Sequence, residues 1–341
     1  RQSFYCQAPS RLLIKNIQML ILTQPFKVLL CLLMLAIGAN SSGAYPDRPI
    51  RLIVPSGAGG ITDNLARLLV TQLTPLLGQQ VFVENKPGAG SIIGTDFAAK
   101  SPADGYSLLM MSNTQTVNES LVPNKPFNLM RDFLSIAPIN FSDLVLVVNP
   151  SVPVKTLAEL IQLAKSKPGK LNFASSGTGT PYHMAGELFN SMAGVNITHI
   201  PYKGSSGART DIIGGQVDMM FDAITTMNEF VKENKVKAIA TTGKNRSAIM
   251  ASTPTVGEAG VPKFEATIWL GIMAPKGTPS EIVTQLNNAI RKVIARQDVK
   301  DLWAKQGALP LSMTVPEFNQ YLEADISKWA TIVKSAGIKP E

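Results

Sequence analysis

Cysteine is scarce, and it is in the wrong place for chemistry. The chain has two, Cys6 and Cys31, both within its first 44 residues. If that segment is removed, no thiol remains. Disulfide scaffolds, Cys-type zinc sites, iron–sulfur clusters and cysteine nucleophiles are then excluded. Histidine is equally thin, with only His183 and His199. Aromatic residues are 6% of the chain and charged residues 16%, with no basic run or aromatic-rich stretch of the RNA-binding kind. Four of the 32 Lys+Arg and none of the 24 Asp+Glu fall before residue 45, so the remainder carries +4 rather than +8. That balance is too mild for a nucleic-acid binder. Beyond residue 44 no 18 apolar residues run uninterrupted, which leaves no transmembrane candidate there.

What is present begins with an address. Val28 to Ala39 is a short apolar run, Lys27 precedes it, and Ser42-Gly43-Ala44 follows with small residues at −3 and −1. This pattern predicts a secretory signal over 1–44, cleaved after Ala44, and therefore an exported protein. The chain opens on Arg1; a start at Met19 would keep Lys27 as the basic flank.

From residue 45 onward, strand and helix patterns alternate. Short apolar runs at 49–55, 81–84, 107–111, 144–148, 171–174, 197–202, 217–221, 236–241 and 267–274 read as strands. Leucine at 65, 68, 69, 73 and 76 marks one helix, and 181–193, 205–214 and 225–233 mark others. Capping boxes are expected at Thr156/Glu159, Thr278/Glu281 and Thr314/Glu317. Alternation of this kind implies parallel sheets with helices on both faces. Two cycles imply two α/β lobes, 45–144 plus 265–341 and 145–264, joined by two crossing segments around a cleft.

Two glycine loops carry the functional signal. Pro55-Ser56-Gly57-Ala58-Gly59-Gly60 leads into Ile61-Thr62-Asp63, and Ser175-Ser176-Gly177-Thr178-Gly179-Thr180 into Pro181-Tyr182-His183. Each follows a strand and opens a helix. Glycine lets backbone N–H groups approach a ligand, and a helix N-terminus adds free donors and partial positive charge. Thr180 reads as an N-cap with Pro181 at the first helical position. The pair of loops predicts two anion cradles across one cleft, built from neutral donors without a buried cation. Lys203 and Gly204 open a further helix, and Asp222 ends a strand at the same edge, either as a hydrogen-bond acceptor or as a cap. His183 lies close enough to the second loop to line the cleft; His199 reads as structural. Trp269 falls in a crossing strand.

Competing chemistries lack their signatures. Gly-x-x-x-x-Gly-Lys-Ser/Thr is absent, and Gly88-Ala89-Gly90-Ser91-Ile92-Ile93-Gly94 misses dinucleotide spacing by one residue. No Gly-x-Ser-x-Gly occurs. No metal, cofactor or catalytic residue is expected, although an exported enzyme acting through His183 and a loop serine, or a sensor partner, stays as an alternative.

The ordered motifs Tyr45-Pro46-Asp47-Arg48-Pro49-Ile50-Arg51, Ala58-Gly59-Gly60-Ile61-Thr62-Asp63, Val83-Glu84-Asn85-Lys86-Pro87-Gly88-Ala89-Gly90, Ala103-Asp104-Gly105-Tyr106, Ser175 through His183, Pro201-Tyr202-Lys203-Gly204 and Gly214 through Asp222 resemble the tripartite tricarboxylate transporter receptors. These are the TctC-like, or Bug, periplasmic solute-binding proteins, and the resemblance spans 45–341. It implies a type II periplasmic-binding fold. It also implies capture of a small organic acid (mono-, di- or tricarboxylate) and delivery to a membrane permease of one large and one small subunit. The receptor itself is expected to be a monomer. The contacts it implies are Ser56, Gly57, Ala58, Gly59, Gly60, Thr62, Ser175, Ser176, Gly177, Thr178, Thr180, His183, Lys203, Gly204 and Asp222. Ser56-Gly57 departs from the family's usual Phe-Pro, a change that bears on the ligand more than on the fold.

Overall fold

Hydrophobic runs too short for helices pair into one curled sheet, and amphipathic runs between them cover it. The computed structural model describes residues 45–305 and 307–339. The leader expected over 1–44 and its cleavage site lie outside the described residues. Residues Arg48–Glu341 form one unit; of the other, Arg1–Asp47, only 45–47 are described, with a cis bond before Pro46.

The strands are β1 (Ile50–Val54), β2 (Val81–Asn85), β3 (Ser107–Ser112), β4 (Phe133–Val148), β5 (Asn172–Ser175), β6 (Thr198–Pro201), β7 (Met219–Ala223), β8 (Lys237–Thr241), β9 (Thr267–Pro275) and β10 (Ala308–Pro310). The helices are α1 (Ile61–Leu77), α2 (Ile92–Ala99), α3 (Asn113–Leu121), α4 (Leu129–Asp132), α5 (Leu157–Ser166), α6 (Pro181–Ala193), α7 (Ser205–Gly214), α8 (Ile224–Lys232), α9 (Ser280–Ala295), α10 (Gln297–Ala304) and α11 (Val315–Ala336).

Strand order is β2-β1-β3-β9-β4-β7-β5-β6, with β8 and β10 also pairing β4. The pairs among β1, β2 and β3, and those among β5, β6 and β7, are parallel, as alternation predicts. The two long strands correct that expectation. β4 and β9 run antiparallel to each other, and likewise to β3, β7 and β8 where they meet them. β4 is sixteen residues long, where only 144–148 reads as strand. The stretch before Leu144 carries Pro138, Asn140 and Ser142 and shifts register twice against β9, which breaks the apolar alternation.

The register defines a seam. β4 pairs β9 as far as Asp143, opposite Thr267, and pairs β7 from Leu144, opposite Ala223. One apolar core lies on each side. Ile53, Leu109, Met111, Phe133, Trp269, Met273, Phe318 and Leu322 fill the first. Val145, Val147, Ala174, Ala208, Ile212, Met220 and Ile224 fill the second. A smaller cluster of Val117, Leu121, Met184, Trp329 and Val333 joins α3, α6 and α11. Trp269 belongs to the first core, and its indole N–H donates to Asp325 at 3.3 Å, where Trp329 Nε1 (3.2 Å) and Thr116 Oγ1 (2.5 Å) also donate.

Capping boxes form at Thr156/Glu159 and Thr314/Glu317. The third does not. Helix α9 starts after Pro279, and the Thr278 hydroxyl donates to the Pro275 carbonyl instead.

Candidate functional site

Strand direction brings the loops together. β3 ends at Ser112, opposite Leu270, three residues from the seam partner Thr267. β7 ends at Ala223, opposite Leu144, and Thr241 at the end of β8 lies opposite Val145. At a rise of about 3.3 Å per residue, these carboxyl ends converge on one stretch of the seam from opposite sides. β1 is parallel to β3, and β5 and β6 run parallel to β7, so both glycine loops open toward it.

Contacts between the two sides are direct. The turn at Gly88–Ser91 meets the second loop: a Cβ on Gly90 would stand 3.2 Å from the Thr178 carbonyl oxygen. Gly179 packs against α3, where a Cβ would come 2.8 Å from Leu121 and 3.1 Å from Asn118. Asn118 Nδ2 donates to the Gly90 carbonyl at 2.9 Å. Glycine is required at 90 and 179 on a second count, since φ is +58° and +76°. The Gly88–Ser91 turn is thus part of the site, although its spacing matched no cofactor motif.

The helices that follow the loops start uncapped. Among the described residues, α1, α6, α7 and α8 have no hydrogen bond from an N-cap side chain to their first turn. Their free donors and positive dipole ends lie at the carboxyl edges of β1, β5, β6 and β7. Buried polar atoms without a hydrogen bond gather at the same edges. Eight such side-chain atoms occur among the described residues. Six of them, on Ser56, Asn113, Thr178, Tyr182, Thr225 and Thr241, lie at a strand's carboxyl end or in the loop or first turn after it. Buried polar groups are normally paired, so this clustering marks a surface shaped for a polar guest. Asn113 and Thr225 carry no motif that sequence reasoning could use.

The predicted contacts divide. Ser56 and Thr178 present unpartnered hydroxyls, and Gly57, Gly60, Thr62, Ser176, Gly177 and Gly204 are half-buried around them, with Ala58 and Gly59 exposed. The Gly59 N–H is taken by Asp63 Oδ2 at 2.9 Å. Burial alone would raise the Asp63 pKa, but bonds from Arg67, Gly59 and Asn85 hold it below its ordinary value.

Four predicted residues are placed differently. Ser175 is fully buried; its Oγ lies 2.7 Å from His199 Nε2 and also accepts from the Gly177 N–H. Thr180 sits at the N-cap position but donates to the Gly177 carbonyl at 2.7 Å rather than capping α6. His183 lies beneath the loop. Its Nδ1 accepts from the Gly179 N–H at 3.0 Å, and its ring stacks on His199 at 3.9 Å. Burial, reinforced by His183, lowers the His199 pKa to about 3, so that ring is neutral at pH 7. Asp222 is 0% exposed, and its oxygens accept from Arg209 Nε at 2.5 Å, Arg209 Nη2 at 3.3 Å and the Ala223 N–H at 2.8 Å. Both its oxygens are engaged inside the fold, by Arg209 and the Ala223 N–H.

Lys203 and Arg209 are the cations that follow β6 and precede β7. Lys203 is exposed. Arg209 is buried on the same helix face as Ala208 and Ile212. Arg209 is thus a buried cation near this edge that the sequence reading did not include, and an arginine among apolar helix positions was the signal for it.

Similarity to known proteins follows the same outline. Residues 65–338 match the family model described as Tripartite tricarboxylate transporter family receptor. Protein BugT of Bordetella pertussis is 38% identical over 301 residues, 88% of this chain and 92% of BugT. R. palustris Rpa4515, solved with adipate, superposes with a TM-score of 0.84 at 32% identity over 87% of this chain and all of that one. MatC from the same organism, with bound malate, gives 0.80 at 30% identity over 85% of this chain and all of that one. The family consists of periplasmic receptors rather than enzymes. With its α/β architecture and mixed, curled sheet, the chain belongs to the tripartite tricarboxylate transporter receptor family, the TctC type of periplasmic solute-binding protein.

Proposed function

We propose that the protein captures a small organic carboxylate between two lobes that meet at the seam, with boundaries at 144/145 and 264/265, and delivers it to a tripartite membrane transporter. Export with cleavage after Ala44 and a monomeric state complete the reading. The observation that carries it is the gathering of unpartnered buried hydroxyls and uncapped helix starts at the strand ends that carry the two loops. Neutral donors of this kind hold a carboxylate by backbone and hydroxyl bonds and release it readily, as a carrier must. Adipate and malate in the related structures support the ligand class.

The test is ligand-dependent stabilisation of the purified mature protein. A panel of mono-, di- and tricarboxylates is screened by thermal unfolding and hits are titrated by calorimetry. A true ligand at 100 times its Kd adds about 2.7 kcal/mol. No shift and no heat across the whole panel would remove the proposal. Retention of the ligand-loaded protein on membranes containing the large and small permease subunits, and not on membranes lacking them, tests delivery.

A further inference from the structure

The buried pair Arg209–Asp222 is not used by the reading above. Asp222 is the penultimate residue of β7, and Arg209 reaches it from one turn inside α7. Asp222 occupies one side of the guanidinium, through Nε and Nη2. Arg209 Nη1 makes no hydrogen bond among the described residues, and no atom of the guanidinium is fully enclosed without a partner. The side chain of Arg209 is 11% exposed and that of Asp222 is 0% exposed, so what reaches solvent is the guanidinium side of the pair. The buried Tyr182 hydroxyl lies near Arg209, Asp222 and Ser205, and Thr225, whose hydroxyl is unpartnered among the described residues, follows Asp222 by three residues in the first turn of α8.

We infer that the free edge of Arg209 is a second anion anchor, which reads a distal carboxylate and makes this receptor selective for dicarboxylates over monocarboxylates of the same length. The inference rests on the carboxylate-receptor reading.

Three physical points support it. A guanidinium has five N–H groups, and a carboxylate on its side edge leaves the end edge able to accept a second planar carboxylate in the same fork geometry. Asp222 already neutralises the cation. A singly charged head therefore suits the position better than a doubly charged phosphate, which Asp222 would repel. Helix α8 starts directly after β7, which brings its uncapped first turn to within a few residues of Asp222, and the Asp222 carboxylate is itself fully enclosed. The glycine loops follow β1 and β5, and Arg209 bonds to Asp222 near the end of β7, so all three lie at strand carboxyl ends on one sheet edge, the arrangement that a molecule with acids at both ends requires.

The experiment measures affinity by calorimetry for matched pairs: adipate against hexanoate, glutarate against pentanoate, and succinate against butyrate. Wild type should favour at least one diacid over its partner by about 10- to 100-fold, the worth of a hydrogen bond to a charged group. In the double variant Arg209→Met with Asp222→Asn, which removes both charges together, that ratio should fall toward one. A ratio that survives in the double variant overturns the inference and leaves the pair a packing element. Equal binding of diacid and monoacid by wild type also overturns it while leaving the receptor reading intact. If no acid in either series, and none in the wider panel, binds wild type, the receptor reading fails and the inference with it. Should the double variant not fold, Arg209→Lys decides the matter. It keeps the charge beside Asp222 but lacks the second fork, so the ratio should fall several-fold; an unchanged ratio overturns the inference.

Discussion

Asp143 marks the seam, and neutralising it should stabilise the protein in a pH-dependent way. Its carboxyl faces Glu265, and a Cβ on Gly243 would come 2.5 Å from its Cγ, so only glycine there leaves the carboxyl room. Burial, and then the Glu265 charge, push its pKa up to about 6 from an ordinary 3.8. A folded-state pKa above the unfolded value means that the ionised form is penalised by folding. The penalty is absent below pH 3.8, grows between there and about 6, and is constant above. A rise of roughly two pKa units corresponds to a ceiling of about 3 kcal/mol. Asp143→Asn removes the charge at nearly constant volume. Residual water contact reduces the ceiling, and the variant should therefore gain about 1–3 kcal/mol at pH 8 and well under 1 kcal/mol at pH 4. Urea unfolding of ligand-free wild type and variant at pH 4, 6 and 8 measures this, with unchanged m-values as the check that only stability moved. Glu265→Gln should recover a smaller part of the same gain. A gain that does not vary with pH, or an Asn variant less stable at pH 8, would refute the assignment.

Thr178→Val and Ser56→Ala remove hydroxyls that are buried and unpartnered in the ligand-free fold. Each should weaken carboxylate binding by about 0.5–1.5 kcal/mol in calorimetry while leaving the melting temperature unchanged or higher, because an unpaired buried hydroxyl is a cost to folding. A lowered melting temperature with intact affinity would place these hydroxyls in the scaffold. Gly186→Ala should behave in the opposite sense. Alanine gains about 1 kcal/mol of helix propensity, yet its Cβ would stand 2.5 Å from Cζ of the buried Phe173. Phe173 stacks on His199 at 4.9 Å and has nowhere to retreat. A net loss of about 1–2 kcal/mol is expected in thermal unfolding, and a gain would mean that the ring moves freely.

Legibility in the sequence followed local punctuation. Helices α6 and α7 were readable over their full lengths because Pro181 opens one, Gly204 precedes the other, and Gly194 and Gly215 close them in left-handed conformations. Helix α3 was not readable. Its sequence, Asn-Thr-Gln-Thr-Val-Asn-Glu-Ser-Leu, has almost no apolar stripe, and its polar residues are buried by bonds to distant partners: Thr116 to Asp325, Gln115 to Thr95, Asn113 to Thr267. The Ser112/Gln115 capping box was its one local signal. The Thr278/Glu281 box failed for a related reason, since a nearby carbonyl took the hydroxyl that would have capped. Local patterns state what a side chain is able to bond; tertiary neighbours decide what it does bond.

The same competition sorts the glycine loops, and there it has functional consequences. Ser175 and Thr180 flank the second loop and spend their hydroxyls on the loop itself, through the Gly177 N–H and carbonyl, while His183 holds the Gly179 N–H. These bonds fix the backbone. The Thr178 hydroxyl, between the two fixed glycines, makes no hydrogen bond among the described residues, and that of Ser56 is its counterpart in the first loop. Each unpaired buried hydroxyl costs about 1–3 kcal/mol of folding stability. A chain able to satisfy Ser175 and Thr180 within five residues has the means to satisfy Thr178 too, so its isolation beside the Gly88–Ser91 turn is a stability cost located where a ligand would recover it. Sequence alone could find the loops, because glycine spacing is local. It could not distinguish the hydroxyls that build the cradle from those that face its occupant, because that division is made by carbonyls and imidazoles brought in by the fold.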